Sequence, residues 1–449
     1  MTISRLKFLP AVLISLALPV TGWATNGYFT HGIGTAEKGL AGAGVAFSQD
    51  TLAAANNPAG MVSQGARYDV GAGLFSPMRS YSSVGGPSVP PGTLCGANCP
   101  FSIGDGNQSI DSDNELFLIP QFGYNWVLDA DSSIGISVFG NGGMNTEYKG
   151  GVAILGTPSG TNAQLPGTFG AGTAGVDLSQ LFIATTYSAR LSSTTSWGIS
   201  GIVAYQRFEA DGLANFAPFS TDPNSLSNNG HDTSTGIGIR LGIQTEVSPG
   251  IRLGAAYQPE IDMSEFDDYA GLFAEKGDFD IPSNLTLGAA FDIGQDGVLV
   301  VDLQQINYED VPSVSNPLQR LFTDCNPGVG GPGCLGGSNG AGFGWQDIQV
   351  VKVGYQWQDG DMTWRVGVSV SEQPIPESEV VFNILAPGVI EETLTFGFTK
   401  QLDAKSALSF AAMYAPSVSV KGSNTFDSAQ QIELEMDQYE FVLGYNRSL

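Results

Sequence analysis

The sequence is poor in charge. Asp, Glu, Lys and Arg make up 14% of its 449 residues, well below the roughly 25% of soluble domains, so few residues are available to hydrate a complete outer surface. It is poorer still in positive charge: 18 Lys and Arg stand against 44 Asp and Glu, a formal net charge of −26. Nucleic-acid binding needs a basic face and is excluded on that ground. Histidine occurs only at His31 and His231. Neither sits among the clustered ligands of a metal site, so no metal or other cofactor is expected. Nucleophile-elbow and phosphate-loop motifs are missing. A hydrolase would have to use His231 with Asp232, neighbours whose side chains diverge on a strand.

Long apolar runs are missing too. The N-terminus has a basic start (Arg5, Lys7), an apolar stretch over residues 8–20 and a small-x-small site at Gly22-Trp23-Ala24. This is the pattern of a cleaved secretory leader, assigned to residues 1–24. Its apolar part falls short of the ~20 residues of a spanning helix, and nothing downstream approaches one. Export without a helical anchor leaves the periplasm, secretion or the outer membrane. Cysteine is limited to two close pairs, Cys95 with Cys99 and Cys325 with Cys334, both in Gly/Pro-rich stretches. An oxidising compartment favours disulfides. Pairing within each stretch is favoured because the partners are close in sequence; cross-pairing is the alternative.

What is present is glycine, 60 copies, and a rhythm. About fourteen alternating segments are separated by gaps that are in turn tiny and long. The tiny gaps fall at 128–132, 191–194, 248–250, 294–297, 358–361 and 401–405; the long ones at 76–114, 149–179, 209–235, 264–280, 309–345, 373–390 and 421–433. In residues 115–127, Leu116, Leu118, Phe122, Tyr124 and Trp126 alternate with Gln121, Gly123 and Asn125. A soluble sandwich would put its large residues inside and charges outside. Here the second face is small and polar, as in a barrel lumen, while the large face suits lipid. The reading is an all-β, transmembrane antiparallel barrel of about fourteen strands over residues 66–449, with short periplasmic turns, long extracellular loops and Trp126, Trp197, Trp357 and Trp364 near the short turns. Acidic residues gather in the long gaps, as solvated loop tips or as sites bridged by divalent cations to lipopolysaccharide.

Phase places Arg240, Arg252, Lys352 and Arg365 on the lumen face. There they either hold a ligand carboxylate or pair with acidic residues such as Glu37, Asp50 or Asp302. Residues 25–65 do not alternate cleanly. They are Gly-rich, with a short helix expected after Asp50 and stopped at Asn57-Pro58-Ala59. Such a segment is either a periplasmic tail or a plug.

The words of that segment are Asn26-Gly27-Tyr28-Phe29, the run from Lys38 to Ala46 and Ala53-Ala54-Ala55-Asn56-Asn57-Pro58-Ala59-Gly60-Met61. With residues 175–183 and Gln373-Pro374-Ile375-Pro376, they resemble the FadL family of outer-membrane channels for long-chain fatty acids and other hydrophobic compounds. The resemblance covers nearly the whole mature chain. It implies a fourteen-stranded barrel closed by an N-terminal hatch, with Phe29, Asn57, Pro58 and Ala59 in the hatch or gate. It also implies a kink in the third strand, at Asn141, Gly142 and Gly143, through which ligand leaves sideways; sequence alone equally allows that strand to end there. Leu165, Phe169, Leu178 and Phe216 resemble the greasy surfaces that first capture ligand, or else pack the loops on themselves.

The function expected is passive uptake of hydrophobic compounds, long-chain fatty acids foremost, across a bacterial outer membrane. The expected setting is a monomer folded by the barrel-assembly machinery among lipid and lipopolysaccharide. The alternatives are a general diffusion porin for small polar solutes and an outer-membrane hydrolase.

Overall fold

Strands with one large apolar face and one small polar face find both satisfied when they close into a ring. The computed structural model describes residues 26–87, 100–157 and 159–449; the leader expected at 1–24 lies outside them. Fourteen antiparallel strands form a closed barrel. They are β1 (Arg67–Gly85), β2 (Phe117–Val127), β3 (Ser132–Tyr148), β4 (Ala174–Arg190), β5 (Thr195–Asp211), β6 (Asp232–Ser248) and β7 (Ile251–Gln258), then β8 (Asn284–Ile293), β9 (Gly297–Ile306), β10 (Ile348–Asp359), β11 (Met362–Ser371), β12 (Glu392–Gln401), β13 (Ser406–Asn424) and β14 (Asp427–Ser448). Each pairs with the next, and β1 closes on β14 from Arg67↔Ser448 to Gly85↔Gln430. Among the described residues, no helix is long and apolar enough to cross a membrane.

The outer wall is apolar. Leu118 is 71% exposed and Ile237 82%, values that only a lipid surround makes sensible. Near the short turns Trp126 lies 4.1 Å from Tyr124 between ring centres, and Trp357 lies 5.8 Å from Tyr355, an aromatic band of the interfacial type. Gly250 and Gly360 turn the chain at φ of 77° and 62°, a region that favours glycine.

Two expectations need correction. The long gap at 421–433 is not a loop, because β13 and β14 continue as a hairpin to Asn424 and Asp427. Above the apolar belt their outward residues turn polar while the ladder goes on: Ser417 and Ser419 donate to Glu435 and Glu433 at 2.6 and 2.8 Å. A search for apolar alternation ends where lipid ends, not where pairing ends. For the same reason β1 runs on to Gly85 and β4 begins at Ala174. The helix after Asp50 is a single 3₁₀ turn, Ala53–Ala55, with Asp50 Oδ1 accepting from the Leu52 N–H at 2.9 Å. A second 3₁₀ stretch, Pro58–Ser63, follows at once. Asn57 caps it, its Oδ1 accepting from the Ala59 N–H at 3.0 Å, and Pro58 occupies the first position, where no N–H is needed. Asn-Pro-Ala therefore starts a turn.

Residues 26–65 lie against the inner wall. Asn57 Nδ2 donates to Val45 O at 2.7 Å and to Ile243 O of β6 at 3.0 Å. The close fit explains much of the glycine content: a Cβ at Gly123, Gly198, Gly242, Gly254, Gly354 or Gly444 would run into Thr51, Pro58, Asn57, Val45, Leu40 or Thr35. Toward the long loops the lumen is filled by buried aromatic and aliphatic side chains.

Of the two disulfides expected, one falls among the described residues. The loop after β9 carries the bond between Cys325 and Cys334, with Cα atoms 4.7 Å apart, so the within-loop pairing holds there. The other was expected between Cys95 and Cys99. Both Cys95 and Cys99 lie outside the described residues, and the bond between them stays an expectation of the sequence. Cross-pairing between the two loops is ruled out, because Cys325 and Cys334 are taken by each other.

Candidate functional site

The wall is incomplete between β2 and β3. Their pairing covers only Phe122↔Val138 to Val127↔Ser133. Beyond it, residues 139–148 of β3 pair with β4 alone. β2 from Phe117 stays with β1, whose upper part is taken by the loop strand Asn107–Asp111. A bulge marks the start of the divergence: the β3–β4 register steps from Gly140↔Leu181 to Gly142↔Gln180, leaving Asn141 extra. An extra residue bends its strand and disrupts the local ladder. Asn141 is 3% exposed, and its Nδ2 donates to Gln180 Oε1 at 2.8 Å. Gln180 in turn donates to Gln206 at 2.9 Å, and Gln206 to Phe279 O at 2.8 Å.

Part of the edge left free by β2 is bridged by the N-terminal segment. Phe29 makes an antiparallel bridge to Gly142. The Thr30 N–H donates to Asn141 O at 2.9 Å, and the Gly143 N–H to Tyr28 O at 3.0 Å. Gly142 is required for this approach, because a Cβ there would strike Tyr28 O. From the other side, Tyr308 Oη donates to Asn26 O at 2.5 Å. Tyr28, Phe29, Tyr308 and Trp345 pack with ring centres 5.1–5.9 Å apart.

A cavity of about 610 Å³ occupies the gap, within the ~300–1,000 Å³ of small-molecule sites. Its lining comes from both sides of the wall. Phe29, Phe117, Met144 and Trp345 are inside it, while Leu118, Leu181, Tyr205 and Arg207 face out. Side chains of the inner and outer faces of the wall thus line one cavity. One corner is polar: His31 Nε2 lies 2.8 Å from Gln438 Oε1, and Glu440 is bonded by Lys38.

The basic residues named from phase all face inward, but none lines this cavity. Arg240 donates to Ala55 O and, at 2.5 Å, to Gln258 Oε1. Arg365 donates to Gln356, Thr399 and Gln49 at 2.7, 2.7 and 2.9 Å. Lys352 is buried, opposite Asp302 in the ladder, whose Oδ2 accepts from the Gly44 and Val45 N–H groups at 2.8 and 3.0 Å. Arg252 pairs with Asp292 and lies 4.9 Å over the Phe47 ring. Arg240, Arg252 and Arg365 hold the N-terminal segment or the wall. Of the apolar candidates, Leu178 lines the cavity. Phe169 and Phe216 pack together at 5.5 Å in the loop core, and Leu165 is half-buried in the loop strand Asn162–Pro166. His31, Arg79, Phe117, Met144, Trp345 and Gln438 escaped the sequence reading. Arg79 keeps phase with Phe75 and Pro77 on β1, so continuing the alternation past Phe75 would have found it.

His231 has both ring nitrogens occupied, Nε2 by Asp177 at 2.8 Å and Nδ1 by Glu209 at 2.9 Å. Asp232 turns away to accept from the Asp268 N–H.

No family model matches the sequence, and no curated protein matches it. Solved structures do match. The toluene transporter TodX of Pseudomonas putida superposes with a TM-score of 0.61 at 16% identity, over 93% of this chain and 99% of that one. A FadL homologue of Pseudomonas aeruginosa gives 0.64 at 14%, over 94% and 99%. The toluene transporter TbuX of Ralstonia pickettii gives 0.56 at 15%, over 93% and 99%. At these identities the likeness is one of fold: this chain has the barrel of those transporters.

Proposed function

We propose that the protein is a bacterial outer-membrane channel for passive uptake of hydrophobic compounds, with long-chain fatty acids as the foremost substrates. The observation that carries this reading is the cavity at the β2–β3 gap, apolar for most of its lining and reaching through the wall. A water-filled porin has a closed wall and a polar eyelet; an opening lined by Leu118, Leu181 and Tyr205 suits a solute that partitions into lipid. Residues 25–65 act as the hatch, and the bridge of Phe29 to Gly142 links hatch position to the kinked strand. Ligand that prefers the displaced arrangement of Tyr28–Thr30 shifts the equilibrium by its differential affinity and no more. Release is sideways, between β2 and β3. The fold shared with toluene and FadL-type transporters supports the same reading. His231, held by two carboxylates, has no nitrogen left to take a hydroxyl proton, which weighs against a hydrolase.

The test is uptake of radiolabelled oleate and toluene by cells with and without the channel, beside a small sugar. Faster entry of either hydrophobic probe is expected. Faster entry of the sugar alone establishes the porin instead.

A further inference from the structure

Arg79 is the unusual charge of the cavity. It projects inward from β1 at 7% exposure and lines the chamber. One Nη donates to Asn114 O at 2.8 Å, and the guanidinium carbon lies 5.9 Å from the Phe117 ring centre. Its Nε is buried with no partner, and among the described residues no carboxylate lies within ion-pair distance of it. Four other cations are differently placed. Lys38 is taken by Glu440, Arg240 by Ala55 O and Gln258, and Arg365 by three side-chain oxygens. Arg207, at the outer end of the same cavity, is paired with Asp177. Glu440 also lines the chamber but is bonded by Lys38. Glu115 acts on Arg79 electrostatically without forming an ion pair. A buried, underbonded guanidinium is costly, and an arriving anion offsets that cost.

We propose that Arg79 is the head-group anchor of this channel: the cavity takes an amphipathic monoanion, its carboxylate accepting from the Arg79 guanidinium and its apolar tail lying along Phe75, Phe117, Met144, Leu178 and Met436 toward the β2–β3 gap. The assignment rests on the uptake reading and narrows it, since a neutral hydrocarbon of the same length lacks the acceptor. Charge-assisted bonds of this kind discriminate by about ten- to a hundredfold. The Phe117 ring beside the guanidinium keeps the plane of the fork oriented, so lysine at this position preserves charge but not the two-pronged geometry.

The experiment measures binding of tritiated oleate and of oleyl alcohol, the same tail without charge, to the folded barrel in neutral detergent. Arg79→Gln keeps a donor for Asn114 O and removes the charge; Arg79→Lys restores the charge. Folding is checked by heat-modifiable gel mobility. Wild type should bind oleate at least tenfold more tightly than the alcohol. Arg79→Gln should lose that preference while keeping alcohol binding, and Arg79→Lys should recover part of it. Equal binding of the two probes by wild type overturns the assignment even if no variant folds, and so does an equal loss of both in Arg79→Gln. Binding of neither probe by wild type overturns the uptake reading itself.

Discussion

Replacing Gly142 with valine perturbs one contact at the centre of the proposed gate. A Cβ at this position would strike Tyr28 O, and backbone cannot yield as a side-chain tip does. The N-terminal segment must lift from β3 there, losing the Thr30 N–H···O Asn141 and Gly143 N–H···O Tyr28 bonds. Valine is otherwise at home in a strand, and the inter-strand pairing of Gly142 with Gln180 does not depend on the missing Cβ. At a net ~0.5–1.5 kcal/mol for each bond, the docked state loses about 1–3 kcal/mol, a shift of roughly 5- to 150-fold in the local opening equilibrium. Hydrogen exchange reads this directly at two amides. Thr30 and Gly143 should exchange faster by that factor, while the amides of β6 and β10 stay protected. Unchanged protection at Thr30 and Gly143 in a correctly folded variant would refute the idea that glycine is there for close approach. Gly143→Val is the contrast: its Cβ would meet Leu178 O of β4 at 2.6 Å, so it should loosen the barrel ladder instead of the hatch.

Asn57→Ala removes the cap on Pro58–Ser63 and the bonds to Val45 O and Ile243 O. A loss of about 1–3 kcal/mol in hatch docking is expected, seen as raised single-channel conductance in planar bilayers; conductance equal to wild type counts against a plug. Lys38→Met leaves Glu440 buried without its partner and should cost about 3–5 kcal/mol in unfolding from detergent, whereas a double replacement with Glu440→Met should recover most of it. If the double variant is no better than the single, the pair is not the cause. In the loop after β7, burial and then the neighbouring Asp280 push the Glu260 and Asp278 carboxyls up, to about 7 and about 8. Raised folded-state values mean that folding favours the protonated forms. Their contribution is therefore full below the ordinary carboxyl range and disappears as pH rises through 7 to 8. Exchange protection over residues 259–283, corrected for intrinsic rate, should fall between pH 6 and pH 9; a flat profile removes these carboxyls from the account of loop order.

Much of the barrel is legible locally because alternation is a property of a single strand. Leu116, Leu118 and Phe122 point out and Gln121, Gly123 and Asn125 point in whatever strand lies beside them. The inward phase of Arg240, Lys352 and Arg365 follows from the same period. Alternation of hydrophobicity is silent where both faces are polar, so the upper ends of β1, β4, β13 and β14 carry no mark of it. Asn141-Gly142-Gly143 is ambiguous in sequence because glycine serves a loop start and a bulge equally well.

By itself the sequence determined the number of strands, the face each turns to lipid and, except at the tight β13–β14 hairpin, the polarity of short and long connections, all consequences of a two-residue period and of turn chemistry. Only the tertiary structure decided what the interior charges do. Whether a cation is spent on Ala55 O, on Glu440 or on Asn114 O alone depends on residues tens to hundreds of positions away. The same holds for the gap itself: β2 and β3 are adjacent in sequence, yet where they part the loop strand Asn107–Asp111 lies on β1 and Phe29 bridges to Gly142 of β3. Hydrogen-bonding edges carry no side-chain signature, so a missing partner leaves no mark in the sequence.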